Sequence, residues 1–187
     1  MNVEATALPG VLLLSPRVFA DDRGHFLETW RRDRYAALGI DGDFAQDNAS
    51  FSRRGVLRGL HFQQPHGQGK LVSVLLGEVW DVAVDVRAGS PTFGQWVGYT
   101  LSAQNARQLW IPAGYAHGFV VTSDEAVFSY KCTDVYHPEA ELTVRWDDPD
   151  VAVGWPVQPS LVADKDAAAP FLRDIPPERL PRYAGPR

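Results

Sequence analysis

In the stretch GVLRGLHFQQPHGQGKLVSVLLGEV, residues 55–79, Arg58, His61, His66 and Lys70 stand where a strand normally carries apolar or solvating residues. A histidine titrates near neutral pH and can accept a proton. A lysine fixes positive charge, and an arginine holds anions through paired hydrogen bonds. Strict alternation over LRGLHFQ puts Arg58, Leu60 and Phe62 on one face and Leu57, Gly59, His61 and Gln63 on the other. Taken alone, His61 reads as a hydrogen-bonded core histidine and Arg58 as a surface charge. Two further polar islands change that reading. PAGYAHGF puts His117 just after a turn, and FSYKCTDVYHPEAE puts Tyr130, Lys131, Tyr136 and Glu141 on and beyond another strand. Buried charges need partners or a ligand, so polar groups on several strands point to one shared cavity.

The elements that must position these residues are short and extended. LVSVLLGEVWDVAVDVR holds two β-branched runs hinged at Gly77 and Glu78, which predicts a hairpin. QWVGYTLS, RQLWIP, GFVVT, AVFSYKC and ELTVRW follow at roughly the eight- to twelve-residue spacing of a sandwich or barrel. RRDRYAALG has helical spacing of Tyr35 and Leu38 with a closing Gly39, so a short helix is expected there. The tail from Trp155 to Arg187 carries seven prolines and predicts short helical turns and coil packed on the strands. No repeat or linker interrupts residues 1–187, which read as a single all-β domain.

Composition narrows the partners. A formal charge of −5 disfavours a general nucleic-acid binder, though a few arginines can still hold one anionic ligand. A single cysteine, Cys132, allows no intrachain disulfide and fits a reducing compartment. The N-terminal apolar run, Val11 to Leu14, is too short for a signal peptide or a membrane span. The expectation is a cytoplasmic chain with no membrane partner.

The string PAGYAHGF resembles the second cupin motif, and the spacing of Gln64, His66, Lys70 and Gly77 resembles the first. A metal-binding cupin would place His, His and Glu where this chain has Gln64, His66 and Lys70. A lysine repels a cation, and two remaining histidines make a poor divalent site. A cupin-like jelly-roll β-sandwich with short peripheral helices and no cupin metal is therefore expected.

Seven blocks in order resemble the dTDP-4-dehydrorhamnose 3,5-epimerase family, over about Pro9 to Pro170. They are RGHFLETW, FAQDNASFSRRGVLRGLHFQ, GQGKLV, GEVWDVAVDVRAGSPTFGQW, WIPAGYAHGF, YKCTDVYHPEAE and KDAAAP. The resemblance implies His61 as base with Asp166 as its carboxylate partner, Lys70 beside the substrate's keto oxygen, and Tyr130 as the acid on the opposite face of the sugar. For the nucleotide it implies Gln46, Asn48, Arg58, His117, Tyr136, Glu141 and Lys165 from the same subunit. Arg23, Phe26 and Glu28 would come from a neighbouring one, in a homodimer that exchanges N-terminal strands. His25, Ser73 and LVADKD depart from the family pattern, and Ser73 bears on ligand affinity.

The implied reaction is epimerisation of dTDP-4-dehydro-6-deoxy-D-glucose at carbons 3 and 5 to dTDP-4-dehydro-L-rhamnose. Both carbons are alpha to the 4-keto group, so inversion needs a base, an enolate stabiliser and an acid on the far face. No cofactor is needed and none has a motif here. Three other readings share these residues in part. They are a single-position epimerase, a 3,4-ketoisomerase, disfavoured by Tyr130 and the YKCTDVYHPEAE block, and a non-catalytic sugar-nucleotide-binding cupin.

Overall fold

A computed structural model describes residues 1–40 and 42–185. Its strands are β1 (Asn2–Ala5), β2 (Leu12–Ser15), β3 (Val18–Asp21), β4 (Gly24–Leu27), β5 (Gln46–Arg53), β6 (Val56–Gln63) and β7 (Lys70–Leu76). They continue as β8 (Glu78–Asp85), β9 (Trp96–Ser102), β10 (Gln108–Ile111), β11 (Tyr115–Val121), β12 (Glu125–Cys132), β13 (Glu141–Thr143) and β14 (Leu161–Val162). Helix α1 (Arg32–Ala36) precedes β5, and α2 (Asp164–Ala167) follows β14. The first sheet runs β1-β2-β10-β7-β12-β5 and the second β13-β6-β11-β8-β9, with β14 beside β6. Among the named strands of the described residues, β14 alone pairs in parallel, against β6. This is the all-β, cupin-like sandwich expected, with short helices at its edge.

The core follows from period-2 alternation. Val72, Val74, Leu109 and Phe128 of the first sheet meet Val79, Ala83, Phe119 and Val121 of the second. The outward residues of the second sheet, among them Leu60, Phe62, Val82 and Val84, are covered by Leu172, Ile175 and Leu180 of the proline-rich tail. On the first sheet, Leu14, Leu71 and Trp110 are covered by Tyr35 and Ile40 around α1. The short helix and the packed tail thus lie where the sequence places them.

Two expectations are corrected. The runs on either side of Gly77 do not form a hairpin. Strand β7 pairs with β10 and β12, whereas β8 pairs with β9 and β11 in the other sheet. Gly77 therefore carries the chain between layers, with φ +73°, and a Cβ there would stand 1.9 Å from the Glu125 carbonyl oxygen. β-branching on both flanks signals strands but not which sheet each joins.

The second correction concerns β6. His117 opposes His61 and Phe119 opposes Arg58, so β6 spends one more residue than β11 between the same two rungs. This is a β-bulge, and it falls at Gly59–Leu60. A Cβ on Gly59 would lie 2.5 Å from Gly118 Cα, at φ +129°. The extra residue moves Arg58 to the His61 side of the strand, whereas uninterrupted alternation puts them on opposite faces.

Hairpin β3–β4 stands apart. It pairs with no other strand among the described residues, and Phe19 and Phe26 are 50% and 70% exposed. Among the described residues no helix is long and apolar enough to cross a membrane.

Candidate active site

The sandwich opens at one end into a cavity of about 560 Å³. Strand β6 brings Arg58 and His61 to it, the start of β7 brings Lys70, β11 brings His117 and β12 brings Tyr130. Strand β5 adds Gln46 and Asn48, the loop after β12 and the start of β13 add Tyr136 and Glu141, and α2 adds Lys165 and Asp166. These are eleven of the fourteen candidate residues. Arg23, Phe26 and Glu28 are not among the cavity's walls. Arg23 and Phe26 line a separate concavity of the β3–β4 hairpin, and Arg23 pairs with Asp21. Glu28 pairs with Arg34 at 2.9 Å.

His61 Nε2 stands 2.7 Å from Asp166 Oδ1, with the imidazole 25% exposed toward the cavity and the carboxylate 3% exposed behind it. Asp166 Oδ2 accepts the Gly59 N–H at 3.3 Å. Burial pushes the Asp166 carboxyl up, but the hydrogen bond and charge of His61, the Gly59 N–H and Lys165 together outweigh it and hold the group below its ordinary range. An ionised Asp166 fixes the imidazole's orientation and stabilises its protonated form. The imidazole thus faces the cavity with an ionised carboxylate behind it.

Lys70 is buried, and its Nζ donates to the His61 carbonyl oxygen at 3.5 Å. Among the described residues no carboxylate lies within ion-pair distance of it. Burial holds its pKa below the ordinary lysine value, against the smaller opposing charges of Cys132, Glu141 and Asp81. A desolvated ammonium seeks negative charge, and an enolate oxygen would supply it.

Tyr130 is half-buried, and its pKa is raised by burial and by the neighbouring Cys132 and Glu141, against Arg58. The phenol therefore keeps its proton at neutral pH and can donate it. Phe128 packs against both Tyr130 and His117, with ring centroids 5.9 Å and 5.8 Å away.

Around the mouth the polar groups hold one another. Glu141 Oε2 accepts from Lys165 Nζ at 2.8 Å and from the Tyr136 hydroxyl at 3.2 Å. Gln46 Oε1 accepts the Tyr136 N–H at 2.8 Å, and Arg58 Nε donates to Ser52 Oγ at 3.0 Å. These residues can meet the donors, acceptors and charge of a nucleotide.

Sequence reasoning missed Asp81. Its Oδ2 stands 2.8 Å from His117 Nε2, and burial raises the Asp81 pKa despite the opposing charges of His117 and Lys70. The signal was present: alternation along EVWDVAVD puts Asp81 between Val79 and Ala83 on the inner face. It also missed Gln63 and Gln68, which line the cavity. Ser73, expected to bear on ligand affinity, lies on the outer face beside Ser129 and does not line the cavity. Of the residues at cupin ligand positions, Lys70 and not His66 borders the cavity, so this donor set does not fit a cupin metal.

The family model described as dTDP-4-dehydrorhamnose 3,5-epimerase matches residues 5–174. A curated dTDP-4-dehydrorhamnose 3,5-epimerase from Pseudomonas aeruginosa is 55% identical over 176 residues, 93% of this chain and 97% of that protein. One from Neisseria gonorrhoeae is 56% identical over 169 residues, covering 90% of this chain, which spans about half (52%) of that relative's length. The crystal structure of dTDP-6-deoxy-D-glucose-3,5-epimerase from Legionella pneumophila, in complex with dTDP-4-keto-L-rhamnose, superposes with a TM-score of 0.96. It is 53% identical and covers 98% of this chain and 99% of its own. The chain belongs to the dTDP-4-dehydrorhamnose 3,5-epimerase family.

Proposed function

We propose that this chain epimerises dTDP-4-dehydro-6-deoxy-D-glucose at carbons 3 and 5, giving dTDP-4-dehydro-L-rhamnose. The observation that carries this is the His61–Asp166 pair, open to a cavity that Lys70 and Tyr130 also line. His61 removes the proton alpha to the 4-keto group, and Asp166 stabilises the imidazolium that forms. The electron pair left on carbon moves into the keto group, and Lys70 meets the enolate oxygen. Tyr130 returns a proton to the opposite face, which inverts the centre. Before the second inversion His61 gives its proton to water and the Tyr130 phenolate regains one from water, so the same residues serve both carbons in turn.

Arg58, His117, Gln46, Asn48, Tyr136, Glu141 and Lys165 hold the nucleotide, with the arginine on the pyrophosphate. Arg23, Phe26 and Glu28 complete the site from the N-terminal hairpin of a second copy in a homodimer. The isolation of that hairpin supports this reading, because two strands alone are marginal in water and its exposed phenylalanines call for a cover. The buried, unpaired Cys132 fits a cytoplasmic enzyme acting as one domain.

The test is incubation with the 4-keto-6-deoxyglucose nucleotide in deuterated water, followed by NMR of the product. Deuterium with inversion at both carbons supports the proposal. Inversion at one carbon makes it a single-position epimerase, and binding without exchange makes it a sensor. For the homodimer, activity is followed on dilution beside sedimentation, and a fully active monomer overturns strand exchange.

A further inference from the structure

A group of metal-ligating side chains lies outside the catalytic pairs. His66, Asp134 and His137 each offer one ligand atom within 4.8 Å of the others. Their backbones are tied in place. Gln63, itself 4% exposed, donates through Nε2 to the carbonyl oxygens of His66 (2.8 Å) and Val135 (3.3 Å), and its Oε1 accepts the His137 N–H at 2.9 Å. Gln68 Nε2 donates to the Asp134 carbonyl oxygen at 2.8 Å. Two loops distant in sequence are thus clamped side by side by one buried amide, with their ligating side chains outward.

We propose that His66, Asp134 and His137 bind one divalent transition-metal ion of the zinc type at the rim of the cavity, apart from the catalytic machinery. The donor set decides the class: two imidazoles and one carboxylate suit zinc and its neighbours, whereas calcium and magnesium want oxygen. Asp134 Oδ1 accepts the Val135 N–H at 2.8 Å, which leaves Oδ2 turned to His66 Nδ1 at 3.8 Å. Glu139 Oε1 stands 3.3 Å from His137 Nδ1 and adds a second carboxylate beside the cluster. The two imidazoles stack at 4.0 Å with 17° between their planes, which brings a ring nitrogen of each within 4.8 Å of the other. Donors of a tetrahedral zinc stand about 3.4 Å apart, so binding requires one ring to turn and close by about an ångström. His66, 48% exposed, is free to make that turn. The fourth position of the ion falls to water at this open surface. None of this depends on the proposed epimerisation.

The test uses the full chain, free of any histidine tag, titrated with Zn²⁺ by calorimetry and with Co²⁺ by visible absorption. One ion per chain is expected. His66→Ala and His137→Ala should each weaken binding by at least about tenfold, since losing even an orienting partner of a ligand costs that much. Asp134→Asn, which keeps the side chain's shape, should do the same, with circular dichroism showing each variant folded. His61→Ala should leave the affinity unchanged. Absence of saturable binding to the wild type overturns the proposal. So does binding that survives His66→Ala and His137→Ala, or binding that His61→Ala abolishes, which would place the ion in the cavity.

Discussion

Two histidine–aspartate pairs place their imidazoles on neighbouring strands, His61 and His117 standing directly opposite each other across β6 and β11, with Asp166 reaching in from α2 and Asp81 from β8. Their hydrogen bonds are nearly equal, 2.7 Å and 2.8 Å, and their surroundings are not. His61 is 25% exposed, and its own hydrogen bond and charge, with the Gly59 N–H and Lys165, outweigh burial and hold Asp166 low. His117 is 8% exposed, Asp81 is 0% exposed with Oδ1 lacking a partner, and burial raises its pKa. The same two residue types thus give one pair that favours charge separation at the cavity and one that burial opposes. Burial separates them first: at Asp81 it outweighs His117 and Lys70, whereas at Asp166 it is outweighed by His61, by the Gly59 N–H on the second oxygen and by Lys165. The second oxygen of Asp81 has no partner among the described residues.

The comparison is tested hardest at the open pair. His61→Ala should abolish deuterium exchange at both carbon 3 and carbon 5, with a rate loss on the order of 10² to 10⁴. Wild-type exchange into carbon 3 by this variant would show that the open pair is not the base.

Tyr130→Phe should separate removal from return of the proton. With His61 intact, exchange continues while inverted product falls by on the order of 10². Equal loss of exchange and inversion, read by NMR, would place Tyr130 on the same step as His61.

Arg58→Ala should weaken binding of the nucleotide by about 1.5–3 kcal/mol, the range for a hydrogen bond to a charged group. Calorimetry with dTDP reads it, and an unchanged affinity would remove Arg58 from the nucleotide site.

The two aspartates should move stability in opposite directions with pH. Folding lowers the Asp166 pKa, so its stabilisation is present above the unfolded value of about 3.9 and lost as pH falls through the folded value. Asp166→Asn should therefore be less stable than wild type near pH 7, by about 1.5–3 kcal/mol, and converge on it in acid. Folding raises the Asp81 pKa, so its contribution is present below about 3.9 and lost as pH rises through the raised value. Asp81→Asn should gain on the wild type as pH rises from 4 toward 7. Melting curves from about pH 2 to 7 that run parallel to the wild type for both variants would erase the distinction between the pairs.

The smallest expected effect is none. Extensive chelation should leave turnover unchanged, because Lys70 stands where a cupin would place a ligand, and an ion at the His66 rim takes no part in proton transfer. Loss of activity with EDTA, restored by a divalent ion, would contradict both statements.

Local pattern determined much of this protein by itself. The β-branched runs read as strands, Gly39 closed the short helix, and the prolines kept the tail irregular, because each rests on backbone preferences set by near neighbours. The polar islands around His61, His117 and Tyr130 signalled a cavity because charged groups do not stay in an apolar wall without a partner. Tertiary structure decided the rest. Gly77 looks the same in a hairpin as in a crossing between sheets, and only the pairing of β7 with β12 and of β8 with β11 separates them. Arg58 and His61 share a face only because β6 bulges where Gly59 meets Gly118, a contact 59 positions apart in the chain by subtraction of their numbers. Asp81 and Asp166 are alike in sequence, and their opposite charge preferences depend on which N–H groups and cations the folded chain sets against each carboxylate. Electrostatics inside a fold is a property of neighbours in space, which no single stretch of sequence contains.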